Sequence, residues 1–161
     1  MIEPKHVVIY TDGACLGNPG PGGYGVVMLH GAHRKELSGG FRRTTNNRME
    51  IMAAIVGLEA LNTRCRVDLY TDSQYLADAV TKRWARRWKA NGWMRNKKEK
   101  ALNPDLWDRL LGLCDRHEVE LLWVRGHAGN PENERCDFLS VQAARLKNLP
   151  PDTTYEATTF R

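Results

Sequence analysis

At 161 residues, with 42% apolar side chains and a net charge of +5, the chain has the size and composition of one domain around a single core. No apolar run approaches the roughly 20 residues that a membrane-spanning helix needs, and Met1-Ile2-Glu3-Pro4-Lys5-His6 lacks the order of a secretion signal. Cys15, Cys65, Cys114 and Cys136 have neither metal-ligand spacing nor the density of a disulfide framework, so reduced thiols in the cytoplasm are expected.

In chain order, His6 to Thr11 contains the β-rich run Val7-Val8-Ile9-Tyr10 and stops at Asp12-Gly13. Gly22 to Leu29 and Lys35 to Phe41 are two further predicted strands, joined by a hairpin turn at Gly31-Ala32-His33. Asn46 to Leu61 repeats apolar residues at helical spacing, at Met49, Met52, Ala53, Val56 and Ala60. Arg66 to Thr71 returns to strand, and Ser73 is placed to cap a helix through Leu76 and Val80. The segment after Lys82 predicts a short helix, a break at Gly92 and an exposed loop. Asn103-Pro104 opens another helix, with Pro104 tolerated in its first turn. Glu118 to Val124 is a strand and Glu132 to Lys147 the last helix. Leu149-Pro150-Pro151 ends that helix and leaves a polar tail, expected to be loosely held.

Three strands followed by helix, strand, helices, strand and helix predict an α/β fold. The sheet is mixed and five-stranded, three strands antiparallel and the rest parallel, with helices on both faces. Residues 1–148 form one domain, with a basic protrusion at about 82–100 and a tail at 149–161. In such sheets ligands gather beyond the carboxyl ends of the parallel strands. Asp12 and Asp72 end the first and fourth strands, Glu50 lies near the start of the long helix, and Asp137 lies in the last one.

The charge is unevenly placed. Lys82, Arg83, Arg86, Arg87, Lys89, Arg95, Lys97, Lys98 and Lys100 face the single acid Glu99, which leaves +8 in this segment and −3 in the rest of the chain. One basic patch on a mildly acidic body points to a polyanion docking on one side. A solvated surface helix is the alternative for any charge run. Trp84, Trp88 and Trp93 interrupt this run and could anchor it to the body or pack under a sugar–phosphate backbone.

Four blocks then carry a resemblance. They are Thr11-Asp12-Gly13-Ala14-Cys15-Leu16-Gly17-Asn18-Pro19-Gly20, Thr44-Thr45-Asn46-Asn47-Arg48-Met49-Glu50, Thr71-Asp72-Ser73-Gln74, and Gly126-His127-Ala128-Gly129-Asn130-Pro131-Glu132-Asn133-Glu134. In this order the chain resembles the bacterial type I ribonucleases H, with Asp137 standing where the fourth family carboxylate belongs. The continuation Phe138-Leu139-Ser140-Val141-Gln142 is more apolar and less small than the usual one.

The resemblance implies a ribonuclease H fold and an endonuclease that hydrolyses the RNA strand of RNA–DNA hybrids, leaving 3′-hydroxyl and 5′-phosphate ends. It implies two Mg²⁺ ions, with Mn²⁺ a possible substitute, held by Asp12, Glu50, Asp72 and Asp137, with Asp12 bridging both. Hard divalent cations prefer carboxylate oxygen, and a paired site can serve attack and departure together. An acid cluster also repels itself, so a cation gives it a reason to exist. His127, flanked by Gly126 and Gly129, reads as a loop residue, and the family pattern makes it assist proton transfer or product departure.

The amides of Asn18, Asn46, Asn47 and Gln74 can donate and accept, which suits 2′-hydroxyls and minor-groove base edges. The family pattern adds Cys15, mainly through its backbone, and sets Thr45 with Asn18 on a phosphate of the DNA strand. Trp84, Arg86, Arg87, Trp88 and Lys89 would carry the protrusion's contacts to the hybrid. Asn18 to Gly22 also has the composition of a turn, and Asn46-Asn47 could simply cap the long helix. The glycine-rich loop lacks the Gly-Lys-Ser/Thr ending of a P-loop, so no nucleotide cofactor is expected. A binding module without catalysis and a phosphotransferase built on a related sheet are the rival classes. The intact acids and histidine oppose the first, and the lack of further glycine-rich loops opposes the second. No long apolar seam calls for an oligomer, so a monomer is expected.

Overall fold

The computed structural model describes residues 3–159. The chain forms β1 (Lys5–Cys15), β2 (Gly20–His30), β3 (His33–Thr44), α1 (Asn46–Glu59), β4 (Cys65–Thr71), α2 (Gln74–Thr81), α3 (Trp84–Ala90), α4 (Pro104–Arg116), β5 (Glu118–Trp123), α5 (Pro131–Ala144) and α6 (Thr153–Thr159). The sheet order is β3-β2-β1-β4-β5. β1 pairs antiparallel with β2 and parallel with β4, β2–β3 is antiparallel, and β4–β5 is parallel. This is the predicted mixed five-stranded sheet.

Period-two alternation decides what each face buries. In β1, Val7 and Ile9 point to the core, as do Val67 and Leu69 of β4. α1 covers that face and is buried almost all round, because α4 packs over it with Leu106, Trp107, Leu110 and Leu111. α5 covers the opposite face of β2. A Cβ on Gly25 would lie 2.4 Å from the Cys136 carbonyl oxygen, so only glycine lets this helix sit so close. Phe138, the apolar departure from the family pattern, points outward at 51% exposure beneath the Arg135 guanidinium. The helix packs instead through Cys136, Ser140, Ala143 and Ala144.

Three expectations need correction. The first strand does not stop at Asp12-Gly13: β1 continues to Cys15, because Asp12 to Cys15 still pair with Gly25 to Gly22 of β2. The hairpin turn is Gly31-Ala32 alone, because His33 already pairs with His30 as the first residue of β3. The tail is not loose. Arg42 donates its backbone N–H to Pro150 at 2.9 Å, and α6 follows. The buried Asp152 carboxylate accepts from Arg48 at 2.7 and 3.0 Å and from Thr44 Oγ1 at 2.7 Å. Arg48 also donates to Asp105 at 3.0 and 2.7 Å and to Asn103 Oδ1 at 3.3 Å. One buried guanidinium therefore ties the start of α1 to the start of α4 and to the tail. Phe160 and Arg161, the end of the predicted tail, lie outside the described residues.

Candidate active site

The parallel ladder between β1 and β4 ends at Thr11 opposite Thr71. The next residues, Asp12 and Asp72, therefore stand side by side at the carboxyl end of this parallel pair: β4 ends there, whereas β1 continues to Cys15 with Asp12 opposite Gly25 of β2. Glu50 reaches them from α1 because Gly13 has no side chain: a Cβ there would lie 2.4 Å from the Glu50 backbone nitrogen. Asp12, Glu50 and Asp72 thus offer carboxylate oxygens that all lie within 4.8 Å of one another. Asp137, half-buried on α5, stands outside this triad but near enough for its charge to act on Asp12.

Burial makes the cluster costly when ionised. Asp12 and Glu50 are each 4% exposed. Desolvation, reinforced by the Asp72 charge, pushes the Asp12 carboxyl up to about 8. Desolvation and the neighbouring Asp12 likewise hold Glu50 well above the usual carboxylate range. Asp12 Oδ1 accepts the Gly13 backbone N–H at 2.9 Å, but the buried Glu50 Oε2 has no hydrogen-bond partner among the described residues. Three hard oxygen donors, one buried oxygen unsatisfied and charges that repel one another are the features a hard divalent cation would compensate.

Asp72 is held by a residue that sequence reasoning quoted but did not assign. Asn133, 3% exposed, donates Nδ2–H to Asp72 Oδ2 at 3.3 Å. Its own place is set by Asn130, whose Oδ1 caps α5 by accepting from Glu132 and Asn133 at 3.1 Å each. The only signal in sequence was the block itself: an Asn in the first turn of a helix reads as capping.

The other expected residues fall into three groups. His127 is exposed on the β5–α5 loop with φ 55°, a left-handed conformation that histidine adopts at some cost. Among the described residues no hydrogen bond joins it to the acids.

The second group surrounds the start of α1. Thr45, not Asn46 or Asn47, is the N-cap, accepting from the Arg48 N–H at 3.2 Å, which leaves both exposed amides free of that duty. Asn18 Oδ1 accepts the Asn46 N–H at 3.1 Å, linking the β1–β2 loop to α1. The Cys15 thiol donates toward the carbonyls of Gly20 and Thr44, each at 3.4 Å. Gln74 is exposed in the first turn of α2, which Ser73 caps as expected.

The third group is the protrusion, where the structure separates residues that the sequence treats alike. Arg86 pairs with Asp115 at 2.7 Å and Lys89 with Asp108 at 2.8 Å, both on α4. Trp88 packs edge-on against the buried Trp107 with 6.0 Å between centroids. These three fasten α3 to the body. Arg87, Trp84 and the other side of Trp88 line a groove with Asn47, Tyr75 and Arg95, so the protrusion and the Asn47 amide of α1 share one concave surface.

Known proteins sharpen this picture. The RNase H family model matches residues 4–145. The ribonuclease H of Syntrophus aciditrophicus (strain SB) is 70% identical over 94% of this chain and 87% of its own length. That of Trichodesmium erythraeum (strain IMS101) is 63% identical over 97% of this chain and 100% of its own length. Among solved structures, LC9-RNase H1, a type 1 RNase H, has a TM-score of 0.79 and 35% identity, covering 89% of this chain and 74% of that one. LC11-RNase H1, solved in complex with an RNA/DNA hybrid, shares the fold with a TM-score of 0.66 at 24% identity, covering 86% of this chain and 96% of that one. By sequence over nearly its whole length, as well as by fold, the chain belongs to the RNase H family.

Proposed function

We propose that the protein is an endonuclease that hydrolyses the RNA strand of RNA–DNA hybrids, leaving 3′-hydroxyl and 5′-phosphate ends. The observation that carries this reading is the Asp12–Glu50–Asp72 triad, two of its acids buried and Asp72 half-buried, at the carboxyl end of the parallel strands. Asp12, Glu50 and Asp72 would hold divalent cations, Mg²⁺ or Mn²⁺, with Asp137 completing a two-ion site. Bound there, the ions supply charge neutralisation at the attacking water and at the leaving oxygen. Burial and mutual repulsion raise both the Asp12 and the Glu50 carboxyl, so affinity for the cations would rise with pH. Asn133 keeps Asp72 turned toward the site, and the exposed His127 moves a proton at the departing 3′ oxygen.

Substrate choice rests on the amides. Asn46, Asn47, Gln74 and Asn18 read 2′-hydroxyls and base edges in the minor groove, and Cys15 and Thr45 position the backbone. Trp84, Arg86, Arg87, Trp88 and Lys89 carry the far side of the hybrid. The four cysteines are free thiols, which fits action in the reducing cytoplasm, and the protein acts as a monomer. Matched hybrid, DNA duplex and RNA duplex, each incubated with Mg²⁺, test this reading. Only the hybrid is expected to be cut, and cleavage of the DNA duplex at a comparable rate would overturn it.

The ion pairs on α4 refine what the protrusion should do. Arg87→Ala is expected to raise KM for the hybrid and to reduce the log–log salt slope of binding by about 0.9, the value for one phosphate contact on a B-form duplex. Turnover at saturating substrate should stay within twofold of the parent, because Arg87 lies on the groove and not at the acids. Arg86→Ala should change the slope less, since Asp115 already neutralises that guanidinium. Salt titrations of hybrid binding, beside steady-state kinetics, check both. A collapse of kcat with KM and slope unchanged would remove the protrusion from docking.

A further inference from the structure

We infer that Trp123 both fixes Asp72 and packs against a ribose of the RNA strand on the β5 side of the acids. The inference deepens the hybrid-cleaving reading above and rests on it. Trp123 ends β5 opposite Thr71, the residue before Asp72. Its indole Nε1–H donates to the Asp72 carbonyl oxygen at 3.1 Å, and the next residue, Val124, donates its N–H to the Thr71 carbonyl at 2.9 Å. The backbone of Asp72 is thus gripped from β5 while Asn133 holds its carboxylate from α5. Removing the indole N–H loosens the residue without touching any carboxylate.

The same side chain is 49% exposed although its polar edge is spent inside the protein. Phe138, also exposed, lies beneath the Arg135 guanidinium, whereas nothing comparable covers Trp123 among the described residues. An apolar ring held by its edge is already ordered, so a ligand that covers it bears little of the ordering cost. The sheet order places Trp123 on the far side of Asp72 from Asp12. Cys15 and Asn18 lie at the β1–β2 connection, on one side of Asp12, and β5 lies on the other side of β4. An RNA strand whose scissile phosphate sits at Asp12 and Asp72 and that continues toward β5 passes over Trp123, which lies against the Asp72 backbone. In a hybrid the bases are paired, and the wide minor groove presents sugars, so the ring meets a ribose face.

Two variants and two measurements separate the roles. Trp123→Phe keeps a ring and loses the N–H, whereas Trp123→Ala loses both. Mg²⁺ binding is followed by calorimetry without nucleic acid, and hybrid binding by fluorescence anisotropy in EDTA, where no cleavage occurs. Both variants are expected to bind Mg²⁺ about tenfold more weakly, as when an outer partner of a ligand is lost. Trp123→Phe should bind the hybrid like the parent, and Trp123→Ala about fivefold or more weakly, as for truncation of an aromatic anchor. Parent-like Mg²⁺ affinity in Trp123→Phe would overturn the positioning role, and parent-like hybrid affinity in Trp123→Ala the packing role. A parent protein that does not itself bind the hybrid would overturn the functional reading instead.

Discussion

Asp12→Asn protein is expected to melt higher than the parent in EDTA, and yet to lose several orders of magnitude of hybrid cleavage. The stability gain follows from the crowding of Asp12, Glu50 and Asp72. At an effective dielectric near 20, two unit charges about 5 Å apart repel by roughly 3 kcal/mol before screening and protonation reduce it. A net relief on the order of 1 kcal/mol corresponds to roughly 2–4 °C for a chain of this length. The sign of the pH dependence is fixed by burial. The Asp12 carboxyl titrates at about 8 in the folded protein, against 3.8 for the free group, so the native state holds a proton that the unfolded chain releases. The parent therefore loses stability relative to Asp12→Asn as pH rises from about 4 toward 8. Mg²⁺ should raise the parent's Tm more than the variant's, since the ion binds the intact cluster better. Melts at pH 6 and 8, with Mg²⁺ and with EDTA, check all of this. A variant that melts lower in EDTA would mean that Asp12 is held by structural partners, and near-parent cleavage would remove it from the catalytic set.

The largest loss of stability is expected from Arg48→Met. Arg48 is 3% exposed and neutralises the buried Asp152 and the half-buried Asp105 together. Removing one partner of a buried ion pair costs about 3–5 kcal/mol, because the charge left behind has neither water nor a counterion. Although burial pushes Asp105 up, Arg48 holds its carboxyl below the usual range. That contribution is present above about pH 4 and is lost as the carboxylate protonates below it. Urea unfolding at pH 7 should therefore separate the variant from the parent widely, and at pH 3 much less. Limited proteolysis should also reach the tail after Leu149 sooner in the variant. A variant within 1 kcal/mol of the parent at pH 7 would show that the cluster is not what holds these three elements together.

The framework that delivers the acids was legible because it rests on strong local signals. A β-rich run that leads into Asp12, another that stops just before Asp72, and a helical period from Asn46 place three carboxylates near one sheet end. The family motifs singled out Asp137 and His127, which no pattern of polarity would separate from surface residues. What stayed hidden depends on long-range pairing. Asp152 lies in a polar tail with no apolar period, and only its approach to Arg48, 104 residues earlier, makes it a core residue. Arg86, Arg87 and Lys89 are indistinguishable as a run of cations, and their division follows from Asp108 and Asp115 on another helix. Asn133 and Trp123 were invisible for the same reason, each acting through Asp72 from a different element.

The most direct test is a time course on one hybrid labelled on both strands, with either Mg²⁺ or EDTA present. With Mg²⁺, internal cuts should appear in the RNA strand alone, and the fragments should carry 3′-hydroxyl and 5′-phosphate ends. EDTA should abolish them, because the buried acids alone have no means of neutralising the phosphate. Cleavage that persists in EDTA, cuts in the DNA strand, or 2′,3′-cyclic phosphate ends, which come from attack by the RNA's own hydroxyl, would contradict hydrolysis at this acid cluster.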